Sequence, residues 1–519
     1  MNVWLGLFRR IPRSILWPGV IGAAMLTVGG LGAGAIVRRD PLLSGTVLNA
    51  MRYGHGHDLA FMVLFVGLGL MVLSWVRLGR MVLTGEAGGR TVAMATAAWT
   101  TPLIIAPPLY SRDVYSYLAQ GAVALRGFDP YSKGAAVLDL PLRGNVAGLW
   151  QETPSPYGPL FLLLGKVTVW LTGDNVILGA IVMRIAVLGG LAMLIWAIPR
   201  LVKHLGGRAN VAMWLTAANP VVLALGIGGV HNDILMVGLM AVGVVFVLDG
   251  MHLRGFAFIA LAVAVKATAL LVLPFLVWVW AARLTGSARH RFLVAAGVGG
   301  AVFVIVFGVA SMIAGVGLGW IGVLKSQTPL LTWLSLPCAA AEILFYSIGT
   351  HIPGWTREGF LSVFRVLGMI ALAFVLVRQW WLAREGGVDA IKRATIALLA
   401  ASLLAPSVLP WYLTWALALG SAFAWSNRSV AVLGGISVWM VLITLPDGTV
   451  VWRWTYDNMN PWVWWPYLAA TMAVGVWVAR TLQKPMPVQE HEKEKKQEQE
   501  QEPKPVTTTT SELVGGTGA

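Results

Sequence analysis

The sequence predicts an all-α protein that crosses a membrane many times, and three observations lead there. Of 519 residues, 57% are hydrophobic and only 12% charged, with a mean hydropathy of +0.74, whereas soluble domains carry about 25% charged residues. The apolar residues fall in many separate blocks along most of the chain, which excludes a soluble domain on a single anchor. The formal charge of +15 would suggest nucleic acid in a soluble protein, but here it sits largely in short loops, where it reads as an orientation signal and not as a nucleic-acid surface. A single cysteine, Cys338, excludes an internal disulfide and a cysteine-based metal cluster, and the eight histidines show no HExxH-like spacing, so no metal site is expected.

Roughly 20 apolar residues are needed to cross a hydrocarbon core of about 30 Å. Blocks at 17–37, 59–78 and 91–109 qualify. Arg9, Arg10 and Arg13 place the N-terminus inside, and Arg77, Arg80 and Arg90 lie inside again after the second block. Ala33 and Ala35 offer a small-residue cleavage pattern, but the first block exceeds the h-region of about 7 to 15 residues in a secretory signal, so it reads as a retained helix. The loop from Tyr110 to Tyr157 is then outside. Residues 158–173 are apolar but short, and a full crossing there would put Arg200, Lys203 and Arg208 outside; a re-entrant or interfacial helix resolves the parity. Blocks at 176–199, 209–229 and 232–249 follow, with His231, Asn232 and Asp233 at an outer end. Between Arg254 and Arg283, basic charge at both ends and Lys266 in the middle predict a hairpin of two short helices with Lys266 near its outer apex.

Further crossings are expected at 291–313, 359–382, 391–409, 411–426, 429–446 and 461–482. The result is a bundle of about 13–14 transmembrane helices, multi-pass in the plasma membrane, with both termini cytoplasmic. Its expected divisions are an N-terminal helix pair (1–90), a transmembrane core (91–482) with outer loops at 110–157 and 317–358, and a tail at 483–519. The tail is rich in Glu, Lys and Gln with few apolar residues, a composition expected to be disordered. Acidic residues lean outward, among them Asp113, Asp129, Asp233 and Asp447, which locates the polar chemistry on the extracytoplasmic side.

The stretch from Pro107 to Lys133 is the most informative. Pro107 and Pro108 end a membrane helix, and Ser111 can cap a new one with Asp113 in its first turn. Tyr110, Tyr117, Ala124 and Phe128 would give that helix an interfacial face. Asp113 reads either as a general base beside Arg112 and tyrosine hydroxyls or as an acid favoured by the helix dipole. Asp129 and Tyr131 lie in a Gly-Phe-Asp-Pro-Tyr turn, which is by itself an ordinary solvated turn. His231 and Asp233 either cap a helix or aim an imidazole and a carboxylate into a cavity; polar groups at membrane depth are costly unless used. Lys266, flanked by Ala and Val, needs an anionic partner, and a lipid phosphate is one candidate; a lysine that snorkels to the surface is the alternative. Lys166, Arg184 and Arg365 raise the same question, with Arg184 and Arg365 expected to pair with carboxylates such as Asp174 and Glu358. Trp452, Trp454, Trp462, Trp464 and Trp465 read as an aromatic belt, whereas Trp411 and Tyr412 could equally stack on a sugar.

The runs SRDVYSYLAQG, GFDPY, SPYGPL, GGVHNDILMVGL, AVKATALLVLP, GWIGVL and PWYLTW, in this order between about residues 60 and 480, resemble the actinobacterial polyprenol-phosphomannose-dependent α-1,6-mannosyltransferases that extend the backbone of lipomannan and lipoarabinomannan. That resemblance implies a GT-C-type bundle whose catalytic Asp lies in a large first extracytoplasmic loop. It implies polyprenyl-phosphomannose as donor, a lipid-anchored mannan as acceptor, membrane lipids as surroundings and no further cofactor. Asp113 would be the base, and Lys266, with His231 and Arg112, would hold the donor phosphate. Asp129, Tyr131, Tyr117, Asp233, Trp411 and Tyr412 would line the acceptor or sugar site. Lys325, Ser326 and Gln327 and the C-terminal tail depart from the family pattern. The rival readings are a lipid-linked sugar transporter or flippase, whose internal repeat symmetry is not evident here, and a GT-C transferase using another polyprenyl-phosphate sugar.

Overall fold

The computed structural model describes residues 11–38, 40–326, 332–446 and 461–484. Their regular structure is entirely helical, with no β-strand among the described residues. The tail at 483–519 falls almost entirely outside them, as do Asp447, Trp452 and Trp454.

The numbered helices run, in order, α1 (Arg13–Ala33), α2 (Gly54–Thr84), α3 (Gly89–Thr100), α4 (Asp113–Leu125), α5 (Pro159–Thr172), α6 (Val176–Leu205) and α7 (Ala209–Leu215). They continue as α8 (Asp233–Leu248), α9 (His252–Val265), α10 (Leu273–Ala281), α11 (Ala288–Ala314), α12 (Trp320–Ser326), α13 (Leu336–Ser347), α14 (Arg357–Leu382), α15 (Gly387–Leu404), α16 (Leu413–Gly420), α17 (Asn427–Leu442) and α18 (Pro461–Gln483). Five of them, α1, α2, α6, α11 and α14, are long and apolar enough to cross a membrane alone, and a bent pair makes a sixth candidate. The protein is thus a polytopic all-α membrane protein, but many expected crossings are short or broken pieces. The block at 91–109 becomes α3 followed by a 3₁₀ turn, Thr101–Ile105, where Pro102 interrupts the helix. The block at 411–426 holds only the eight residues of α16 behind a 3₁₀ turn at Pro410–Tyr412. The expected loop at 317–358 contains α12 and α13.

The block at 209–229 is the most altered. Helix α7 stops at Leu215, and Asn219 spans the break: its amide donates to Leu215 O at 2.8 Å and Ser437 Oγ at 2.9 Å, while its oxygen accepts from Val221 N–H. A π-helix, Val221–Gly228, then meets α8 at 117°. Freed backbone groups at membrane depth are tolerated only where protein covers them, and every residue from Val221 to Asp233 is buried.

The hairpin around Lys266 forms as expected. His252 at the start of α9 stacks on Trp280 near the end of α10 at 4.9 Å, and Arg283 donates to the carbonyls of Val247 and Leu248. Lys266 lies at the turn, in extended conformation between α9 and a 3₁₀ segment, Ala267–Val272. Elsewhere tryptophans pin the bundle: Trp75 of α2 and Trp214 of α7 stack at 4.3 Å, and each indole N–H donates to the other residue's carbonyl. Both are fully buried, so each satisfies its one polar atom while filling the core.

Helix α4 was expected to present an interfacial face, but Val114 through Val123 are buried. It is a core helix because α5 lies against it at backbone distance: a Cβ on Gly121 would come within 2.2 Å of the Gly165 backbone. Helix α5 instead carries the exposed apolar residues, Val167, Trp170 and Leu171. It is a fourteen-residue helix, short for a crossing.

Candidate active site

Two chain reversals meet and bring the candidate side chains together. Pro107 and Pro108 end the helical approach from α3, and Tyr110, in left-handed conformation at φ 61°, turns the chain into α4. On the facing side Val230, at φ 58°, turns it from the π-helix toward α8. Such a conformation costs a non-glycine residue about 1–3 kcal/mol and persists where the surroundings over-determine it. Here they do: Leu109 N–H donates to Gly228 O at 3.0 Å and Tyr110 N–H to Pro446 O at 2.8 Å. The two reversals hold each other.

Arg184 of α6 locks them. Its guanidinium, wholly buried, donates to Ile227 O at 3.0 Å, Gly228 O at 3.2 Å and Ile104 O at 2.8 Å. These carbonyls end the π-helix and the 3₁₀ turn, and helix ends need outside donors. The expected pairing of Arg184 with Asp174 is therefore corrected: Asp174 pairs with Arg126 at 2.8 Å. Carbonyls freed by broken helices can satisfy the N–H donors of a buried guanidinium, and they leave no mark in the sequence.

Asp113 is the first residue of α4, and its N–H donates to Ser111 Oγ at 3.0 Å. Ser111 thus bonds an early amide as expected, although Arg112 occupies the cap position. The Asp113 carboxylate is a quarter exposed, with Oδ2 3.6 Å from His231 Nδ1. Burial is the main influence on it and pushes its pKa up to about 6; the Ser111 hydroxyl and the Lys266 ammonium pull the other way, and Asp233 adds to the rise.

His231 is fully buried and stacks on Trp411, ring centroids 3.7 Å apart. Beyond it, Lys266 Nζ donates to both Asp233 oxygens at 2.8 and 2.9 Å, and Trp415 Nε1 donates to Oδ1 at 2.6 Å. The ammonium also sits over the Tyr412 ring at 4.8 Å and the Trp415 ring at 5.3 Å. Tyr412 and Trp415 stack on each other at 4.0 Å. Lys266 is therefore held in place rather than snorkelling, with one N–H beyond those that Asp233 takes. Asn232 lies between His231 and Asp233, buried, and its amide has no hydrogen-bond partner among the described residues.

The structure brings Asp113, His231, Asp233, Lys266, Trp411 and Tyr412 into one cleft. Tyr117 stands beside it, buried, with its ring edge-on to Tyr157 at 5.2 Å. Arg112 is directed elsewhere: its guanidinium donates to Asn145 O and Ile36 O, each at 3.1 Å, and lies 5.2 Å from the Tyr115 ring. Asp129 and Tyr131 line a separate cavity past the end of α4. The side chain of Lys325 falls outside the described residues. Trp415, Tyr157 and Asn232 join the cleft unforeseen; Trp415 follows Trp411 by four residues, a helical spacing that could have shown it.

Fold and cleft define a class: a polytopic membrane protein whose assembled carboxylate, imidazole, ammonium and aromatic wall suit group transfer on a carbohydrate. Comparison with known proteins gives the family. Residues 16–282 match the family described as alpha-(1->6)-mannopyranosyltransferase, N-terminal domain, and residues 337–480 match the MptB C-terminal domain. Alpha-(1->6)-mannopyranosyltransferase A of Mycobacterium tuberculosis is 39% identical over 463 residues, 88% of either chain. Alpha-(1->6)-mannopyranosyltransferase A of Corynebacterium glutamicum is 33% identical, covering 82% of this chain and 91% of its own. Alpha-(1->6)-mannopyranosyltransferase B of the same organism is 31% identical over 83% of this chain and 77% of its own. The chain belongs to the alpha-(1->6)-mannopyranosyltransferase family.

Proposed function

We propose that this protein transfers mannose from polyprenyl-phosphomannose to the 6-hydroxyl of an α-1,6-mannan acceptor, with inversion, on the extracytoplasmic side of the plasma membrane. The observation that carries this reading is the shared cleft: a carboxylate raised toward neutrality, beside a lysine that a second carboxylate holds in place.

With a β-linked donor, an α product requires a single displacement. The acceptor oxygen attacks the anomeric carbon, a new C–O bond forms, and the bond from that carbon to the phosphate oxygen breaks. Asp113 takes the acceptor hydroxyl proton, and a base whose pKa lies near neutrality is matched to that task. The leaving phosphate gains negative charge, which the fixed Lys266 ammonium stabilises without reorganising. Asp233 and Trp415 position that ammonium. His231, stacked on Trp411 and 3.6 Å from Asp113, supports that carboxylate. Tyr412, half-buried, is the ring left to meet the sugar, because Trp411 is buried and stacked on His231. A single essential carboxylate suffices, because no water needs activating and phosphate leaves without an acid.

The test is incubation of membranes containing the protein with labelled polyprenyl-phosphomannose and a short α-1,6-mannoside. Label should appear in a lengthened mannoside with the native protein and be lost with Asp113→Asn. Unimpaired transfer by Asp113→Asn would remove Asp113 from the chemistry. Movement of the donor across the membrane with no lengthened product would replace the transferase with a transporter.

A further inference from the structure

Past the C-terminal end of α4 lies a cavity of about 380 Å³. It is lined by Asp129, Lys166 and Tyr131, together with Phe128 and glycines 315, 317 and 319. We propose that this cavity binds the acceptor glycan several sugar units away from its reacting end, so that the enzyme favours longer acceptors. The inference rests on the transferase reading above.

The chemistry selects a neutral polyol. The lining holds one cation and one anion, so it offers no net attraction to a phosphate; the nearby Arg126 is taken up by Asp174. Among the described residues Lys166 has no carboxylate within 4 Å, in contrast to Lys266. An ammonium and a carboxylate lining one small cavity can donate to and accept from sugar hydroxyls. An aromatic ring such as Phe128, 44% exposed, covers a sugar's C–H face. The volume suits a small organic ligand, not an ion. Glycines 315, 317 and 319 add no side chain to the lining, and Gly319 lies so close to Tyr131 that a Cβ would meet it at 2.6 Å.

The geometry fixes the separation. Helix α4 runs from Asp113 to the cavity lining at Ala124, about 17 Å at a rise of 1.5 Å per residue, which spans several sugar units. It is a rigid spacer because α5, which carries Lys166, packs on it at the Gly121–Gly165 approach. A chain of tyrosine contacts links the two sites: the Tyr131 hydroxyl donates to Tyr157 O at 3.1 Å, and the Tyr157 ring packs edge-on against Tyr117 beside Asp113.

The experiment uses the full-length protein in detergent and measures, by calorimetry, binding of an α-1,6-dimannoside and an octamannoside, alongside transfer to each. The native protein should bind the longer chain at least about tenfold more tightly, and Lys166→Ala should erase most of that preference. Asp129→Asn should do so too; it keeps the oxygen that accepts the Tyr131 N–H, so a loss there cannot come from a collapsed turn. Equal binding of both lengths by the native protein would overturn the proposal, as would an unchanged preference in both variants. Length-dependent binding without transfer of mannose by any of the proteins would leave the glycan site standing and sink the transferase reading instead.

Discussion

Asp113 owes its usefulness to where α4 begins. Placed at a helix start but largely removed from water, its carboxyl titrates near pH 6 rather than near 4. The protonated form cannot accept a proton, so kcat/KM should fall about tenfold per pH unit below about 6 and level off above it. A pH profile measured with saturating donor checks this, and a profile flat to pH 5 would contradict it. Lys266 and Asp233 form a buried pair, and removing one partner of such a pair costs about 3–5 kcal/mol. Asp233→Asn should therefore lower thermal stability more than the double variant Asp233→Asn/Lys266→Met, while both lose transfer; melting in detergent together with the transfer assay separates the two effects. Asp113, His231, Asp233 and Lys266 were legible in the sequence because a polar residue amid apolar neighbours is expensive and so marks itself. Arg112 and Arg184 were equally visible but aim at carbonyls distant in the chain, a partner type with no residue identity to read.

At the scale of elements, the cleft depends on how broken helices are secured. Arg184→Met should leave the ends of the π-helix and of the Thr101–Ile105 turn without donors, at about 1–3 kcal/mol for each buried carbonyl. The expected result is a lower melting temperature and a fall in kcat larger than any rise in KM, because the groups displaced are Asp113, the proposed base, and His231, which supports it. A normal kcat in that variant would show the clamp to be dispensable. Helix α8, which begins at Asp233, packs on α6 through glycine: a Cβ on Gly238 would lie 2.3 Å from Gly190 O. Gly238→Leu should force the helices apart and destabilise by about 1–3 kcal/mol or more, read as an earlier thermal transition. The apolar blocks located most of these helices, and basic flanks located the hairpin at Lys266. Hydropathy could not reveal that 209–229 splits into α7 and a π-helix, because each piece is as apolar as a whole crossing would be; Asn219-Pro220 was the only local sign.

For the whole molecule, the proposed orientation puts the cleft and the α4–α5 cavity outside and the α8–α9 turn inside. Cys338 is buried, so added cysteines report cleanly. Ser132→Cys, at an exposed position, should label with an impermeant thiol reagent in intact cells, and Arg254→Cys, also exposed, only after permeabilisation. The reverse pattern would invert the topology. Composition by itself determined that the chain lives in a membrane, since so few charges cannot solvate so much apolar surface. The cost of polar groups at membrane depth marked out the small set of polar residues that the sequence places amid apolar neighbours. Tertiary structure alone decided how they work together. Asp113 and Lys266 lie 153 positions apart, and only the meeting of two strained reversals under Arg184 sets them in one cleft, because backbone hydrogen bonds between distant segments are written in carbonyls that every residue shares.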